Sequence, residues 1–175
     1  MLLDPSPWIF RFADLVSGPV LDLACGAGRH TAFFAERGHA VTAVDRDMTR
    51  LGTLTDHSNV LTIAADLEAA ENAWRPAPDS FGAVVVTNYL WHPLLPALID
   101  ALQPGGVLLY ETFAAGNEAF GNPSNPDFLL RPADLLDAVR PALSVIAYEN
   151  GEIASPRPAV VQRICAVRDG AVQRL

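Results

Sequence analysis

Val20-Leu21-Asp22-Leu23-Ala24-Cys25-Gly26-Ala27-Gly28-Arg29-His30 is the stretch that decides the fold. A short apolar run, Val20 to Ala24, leads directly into two glycines and then into a helical segment at 29–37 closed by Gly38. An apolar run bounded by turn residues reads as a buried strand. Gly26 and Gly28 lack side chains, so the backbone there turns sharply and can approach a ligand closely. The helix begins near Arg29, and its free N–H groups can receive an anionic group such as a carboxylate.

The alternation of strand and helix repeats on both sides of this stretch. Upstream, Ser6 caps a helix with Pro7 in its first turn; Trp8, Ile9, Phe12, Leu15 and Val16 follow at helical spacing, and Gly18 ends it. Downstream, strands are expected at 40–44, 60–64, 83–87 and 107–111, with a weak helix at 48–57 and a helix at 94–102 stopped by Pro104-Gly105-Gly106. Strands apolar on both faces and alternating with helices imply a parallel sheet covered on both sides. Residues 143–149 and 159–168 are also strand-like, but the link from Glu149 to Pro158 is too short for a helical crossover. A hairpin is expected, with the last strand antiparallel. The expected fold is one doubly wound α/β domain over 1–175, with seven strands, mostly parallel and the last antiparallel. Its parts are an N-terminal helix (1–18), a ligand-binding core (19–112), a lid-like loop (113–131) and a closing helix and hairpin (132–175).

Composition narrows the function. The chain has 175 residues; its twelve basic residues, all Arg, face twenty acidic ones for a net charge of −8. That balance disfavours tight nucleic-acid binding, where cations on phosphates supply most of the affinity. Two cysteines, Cys25 and Cys165, make no disulfide scaffold, and their spacing fits no zinc motif, so no metal is expected. No leader or apolar run of membrane-spanning length is visible. The expectation is a cytoplasmic protein with a small-molecule partner and no membrane.

In an open parallel sheet, ligands bind beyond the carboxyl ends of the strands, where the strand order switches. The residues directly following strands are therefore the candidates. Asp45 lies nineteen residues after Gly26, at the end of the second strand. An acid there can accept hydrogen bonds from both hydroxyls of a ribose. Asp66, ending the third strand, can accept from an adenine amino group. Taken singly, a glycine pair is often only a tight turn and an acid after a strand only a helix cap. Their joint occurrence at three successive strand ends points to a nucleoside-type ligand.

The stretch from Val20 to His30 resembles the first motif of class I S-adenosylmethionine-dependent methyltransferases. Gly38 to Arg46 resembles the second motif, Ala65-Asp66-Leu67 the third, and Asn88-Tyr89-Leu90 the fourth. Leu102-Gln103-Pro104-Gly105-Gly106-Val107-Leu108 resembles the entry to the family's fifth strand. Tyr110 to Phe113 and Asn125 to Leu130 resemble segments of small bacterial enzymes related to tellurite-resistance methyltransferases. The resemblance implies a Rossmann-like fold and S-adenosylmethionine as cofactor. It implies cofactor contacts from Asp22, Ala24, Gly26, Gly28, Arg29, His30, Asp45, Arg46, Asp66, Leu67, Asn88 and Tyr89. Asp22 is expected near the methionine amino group, the Gly26–Gly28 backbone along the methionine, Asp45 at the ribose, and Asp66 and Leu67 at the adenine. A nicotinamide dinucleotide enzyme shares the Asp45 logic. Its fingerprint wants a third small residue where this chain has Thr31, and Asp22 suits a cationic amino-acid moiety better than a pyrophosphate. A non-catalytic binder of the same adenosyl ligand is the alternative outside the enzymes.

The transferred methyl is already activated, so such enzymes chiefly align the nucleophile, and a base is needed only for a protonated acceptor. The catalytic candidates are Tyr89, whose π face can meet a sulfonium, and His92, whose ordinary pKa lies nearest neutrality. Core packing is the competing role for Tyr89, and helix capping for His92. Trp8, Trp91 and Glu111 are the substrate candidates. Arg131 and Arg157 are candidates to meet an anionic substrate, with surface salt bridges as the alternative. The residues between Ala114 and Arg131 form a connection long enough to carry specificity.

Overall fold

A computed structural model describes residues 4–169. The outer ends of the single-domain reading, 1–3 and 170–175, lie outside the described residues. The strands are β1 (Val20–Leu23), β2 (Val41–Asp45), β3 (Val60–Ala64), β4 (Phe81–Thr87), β5 (Leu102–Phe113), β6 (Leu143–Ile153) and β7 (Ala159–Arg168). The helices are α1 (Pro7–Phe12), α2 (Arg29–Glu36), α3 (Leu95–Asp100) and α4 (Asp134–Val139).

The seven strands form one sheet in the order β3-β2-β1-β4-β5-β7-β6. The pairs among β1 to β5 are parallel, and β7 runs antiparallel to both β5 and β6. The expected mixed sheet is the observed one. Strand order reverses between β1 and β4, so the chain leaves these two neighbours toward opposite sides and opens a crevice at their carboxyl ends.

The central strands β1 and β4 are buried almost throughout because both faces are covered, with Asp22 a buried polar exception. Leu21, Leu23, Val84, Val86 and Leu108 point into the layer filled by α3 and α4, with Leu94, Leu98 and Leu135 among its members. Their alternate neighbours Val20, Ala83, Val85, Val107 and Leu109 point the other way, against Trp8, Ile9, Phe12 and Phe34 of α1 and α2. This two-residue period places each strand's side chains on opposite faces. It also fixes which helix covers which face.

Several elements depart from the expectation: β4 starts at Phe81, β6 runs on to Ile153, and α1 gives way to a 3-10 turn after Phe12. The weak helix at 48–57 is a 3-10 segment, Met48–Asp56, broken at Gly52 by a backbone turn of φ 54° and ψ −129°. β5 starts at Leu102, not 107: Leu102 pairs with Phe81, and the register shifts before Ala83 meets Val107. Gly106 admits this path, because a Cβ there would lie 2.8 Å from the Gln103 carbonyl oxygen. The connection after β5 is not structureless. Ala114 bridges Leu130, and buried Asn117 donates to the Pro123 carbonyl while accepting from the Val160 N–H.

Candidate functional site

Two adjoining cavities lie at the carboxyl ends of β1, β2 and β4. One, of about 500 Å³, is bounded by the glycine turn, Arg29, His30, Asn88 and Tyr89. The other, of about 330 Å³, is bounded by Arg46, Asp66, Leu67 and Glu68. Ala24, Asp45 and Tyr89 line both, so the two form one trough along the sheet edge.

Asp45 joins the parts of this trough. Its Oδ2 accepts from the Gly26 N–H at 2.9 Å and its Oδ1 from the Asp47 N–H at 3.0 Å. Each oxygen has a second acceptor position, so the carboxylate is oriented without being exhausted. The glycine turn is itself tight. Gly28 donates to the Cys25 carbonyl at 2.9 Å with φ +77°, and a Cβ on Gly28 would overlap Leu51 and Leu54. Ala24 and Asn88, at the ends of the neighbouring strands β1 and β4, both take positive φ (52° and 57°). Asn tolerates this region and Ala does not, and such strain concentrates at functional sites. Nothing in the residue types announced it.

Tyr89 sits where the two cavities meet. Its hydroxyl is buried and has no hydrogen-bond partner among the described residues. Burial first, then the nearby Glu68 carboxylate, raises its pKa above the ordinary tyrosine range, so the group keeps its proton. Asp66 uses Oδ1 for the Glu68 N–H at 3.0 Å, and Leu67 is buried beside it. His30 is 2 % exposed; burial, followed by the Arg29 charge, pulls its pKa down to about 3. Its Nε2 accepts from the Ser6 N–H at 3.1 Å, so the ring proton belongs on Nδ1.

Most of the expected cofactor residues therefore meet in one trough: Ala24, Gly26, Arg29, His30, Asp45, Arg46, Asp66, Leu67, Asn88 and Tyr89 all line it. Gly28 packs beneath it against Leu51 and Leu54. Asp22 is corrected. It is 1 % exposed and lies under the turn, accepting from Thr31 Oγ1 at 2.6 Å. The Thr31 that counted against a dinucleotide fingerprint is its partner.

The catalytic and substrate candidates fare differently. His92 lines a separate pocket with Leu95, Pro96 and Ile99, and its Nε2 lies 3.6 Å from Asp134 Oδ2. It opens a 3-10 turn there, with Pro93 next to it, which carries its side chain away from the trough. Trp8 is 2 % exposed and packs edge-on to Phe12, its Nε1 donating to the Ile164 carbonyl at 3.2 Å; it is core. Trp91 is half-buried against the α3 layer. Glu111 lines a third, smaller pocket beside the trough, but both its oxygens are engaged. Ser6 Oγ donates to Oε1 at 2.7 Å, and Arg163 Nη1 to Oε2 at 3.1 Å. The position of Ser6 at this edge escaped the sequence, where it read only as a helix cap. Its partners lie 24 and 105 residues away.

Sheet order, glycine turn and strand-end acids together define the doubly wound α/β class that binds its ligand at the switch point. A family model described as "Methyltransferase domain" matches residues 20–106. Among curated proteins, the Ubiquinone biosynthesis O-methyltransferase of Pseudomonas aeruginosa is 28% identical over 120 residues, covering 65% of this chain and 52% of that protein. The chain thus spans about half the length of the curated relatives it matches. An S-adenosylmethionine-dependent methyltransferase from Mesorhizobium loti superposes with a TM-score of 0.70 at 17% identity, covering 93% of this chain and 99% of that one. TehB from Haemophilus influenzae does so at 0.70 and 20%, covering 91% of this chain and 61% of TehB. Residues 20–106 thus match the methyltransferase-domain family, and the solved structures share the fold of the whole described sheet.

Proposed function

We propose that this protein binds S-adenosylmethionine in the trough and transfers its methyl group to a small-molecule acceptor by direct displacement. The observation that carries the reading is the Gly26–Asp45 hydrogen bond, which places the glycine turn and the strand-end acid in one cleft. The cleft also fits the cofactor's chemistry. It holds a buried tyrosine hydroxyl with no protein partner among the described residues, and a carboxylate with acceptor positions to spare.

Asp45 would take the ribose hydroxyls, and Asp66 with Leu67 the adenine. Arg29 and the first N–H groups of α2 would take the carboxylate, in a helix start that favours anions. When bound, the cofactor supplies a methyl group already activated on a positively charged sulfur. What remains for the chain is to hold the partners aligned and dry. Tyr89 keeps its proton and serves as donor or wall. His30 stays neutral, with Nε2 committed to Ser6. His92 faces elsewhere. The acceleration then comes from positioning, with the acceptor arriving as a lone-pair or ionised nucleophile.

Calorimetric titration with S-adenosylhomocysteine and with NAD, followed by label transfer from methyl-labelled S-adenosylmethionine to an acceptor panel, tests this. Binding of the first ligand, none of NAD, and label transfer are expected. Preference for NAD overturns the cofactor reading. S-adenosylhomocysteine binding without transfer to any acceptor reduces the protein to a binder.

A further inference from the structure

A third pocket, of about 80 Å³, adjoins the trough and shares Arg29 and Asn88 with it. Its wall is built from elements remote in sequence: Ser6 before α1, Glu111 and Phe113 on β5, and Arg157 in the β6–β7 turn. Ile153 and Val161 close the apolar side. A space this size holds a few heavy atoms.

The charges in this wall do not cancel. Glu111 is its one acidic lining residue. That charge is spent on Arg163, which also holds Glu149 at 2.6 Å. Arg157 and Arg29 form no ion pair within 4.0 Å among the described residues. Arg157 is nonetheless held at the wall, its guanidinium 5.4 Å from the Phe113 ring centroid. In a chain of net charge −8, two unpaired guanidiniums facing one apolar-walled pocket create a local positive field. Arg29 is assigned above to the cofactor's carboxylate, which leaves Arg157 for another anion.

We propose that this pocket is the acceptor site and selects a small acceptor bearing an anionic group such as a carboxylate, with Arg157 as the specificity-determining residue. The assignment as acceptor site rests on the methyltransferase reading above. A guanidinium pairs bidentately with a carboxylate, which an uncharged isostere cannot reproduce. Phe113 and Val161 receive the apolar body of the molecule.

Acetate, acetamide and acetamidinium, of four heavy atoms each, share one shape and differ in charge. Each is titrated by NMR against the full chain, with and without S-adenosylhomocysteine. Acetate is expected to bind about tenfold tighter than acetamide, with acetamidinium weakest and shifts centred on Phe113 and Arg157. Arg157→Gln erases the preference and Arg157→Lys keeps only the part owed to charge, with S-adenosylhomocysteine affinity unchanged in both. Equal affinity for acetate and acetamide, or a preference that survives Arg157→Gln, overturns the proposal. Failure of S-adenosylhomocysteine to bind overturns the cofactor reading instead, and the ligand-free titrations still report on the pocket.

Discussion

Thr31 Oγ1 donates to Asp22 Oδ2 at 2.6 Å, tying the first turn of α2 to the middle of β1 beneath the glycine turn. The carboxyl is 1 % exposed, and burial raises its pKa from 3.8 to about 6, with the Thr31 hydrogen bonds opposing the rise. The folded protein holds this proton more tightly than the unfolded chain does. Its contribution to stability is therefore fully present below about 3.8 and lost as pH rises toward 6. The step corresponds to ~3 kcal/mol. Asp22→Asn keeps an acceptor for Thr31 and removes the titration. Unfolding titrations across that window are expected to show the variant gaining on the wild type as pH rises. A constant difference at all pH values would contradict a buried, titrating Asp22.

His30 works in the opposite direction. Its pKa, held near 3, lies below the ordinary 6.5, so its contribution is present above 6.5 and lost as pH falls toward 3. His30→Gln retains an acceptor for the Ser6 N–H. The variant is expected to lose less stability than the wild type on acidification from neutral pH. Denaturant midpoints over the same range check it, and parallel acid limbs would count against it.

Tyr89→Phe separates stability from ligand affinity. The buried hydroxyl has no partner among the described residues, so removing it costs the ligand-free fold little, about 0–1 kcal/mol in either direction. If the hydroxyl meets the cofactor, S-adenosylhomocysteine affinity falls by about 1 kcal/mol in the same variant. Thermal unfolding and calorimetry on one preparation read both quantities. A large loss of stability with unchanged affinity would make Tyr89 a packing residue.

Asp45→Asn removes the charge and leaves one oxygen to accept from the backbone. Cofactor affinity is expected to drop by about 1–3 kcal/mol, because a charge-assisted acceptor of two hydroxyls is lost. Calorimetry with S-adenosylhomocysteine is the check, alongside circular dichroism to show an intact fold. Unchanged affinity would remove Asp45 from the ribose.

The legible parts of this protein are those in which short-range pattern and burial agree. β1, β2 and β3 appear within a residue of their expected bounds because an apolar run between turn residues has one good use in a covered sheet. The trough was legible for a related reason: most of its residues directly follow a strand, so chain position alone brings Asp45, Asp66 and Asn88 to one edge. The start of β5 was hidden because Pro104-Gly105-Gly106 reads as a stop, whereas a close backbone approach at Gly106 lets the strand continue through it. The third pocket was legible only in part. Glu111 and Arg157 stood out singly, but Ser6, Glu111 and Arg157 come together only through tertiary packing, and no local period records that meeting. Asp22 is placed by alternation along β1: Leu21 and Leu23 point into the α3–α4 layer, and its own carboxyl points the other way, to Thr31 beneath the turn.

A crystal structure of the S-adenosylhomocysteine complex measures directly whether the adenosyl ligand lies across the carboxyl edge of the sheet. The ribose hydroxyls are expected on the Asp45 carboxylate, the base beside Asp66 and Leu67, and the amino-acid end against Gly26 and Arg29. Ligand bound elsewhere on the molecule, or an Asp45 carboxylate with no contact to the sugar, would contradict it.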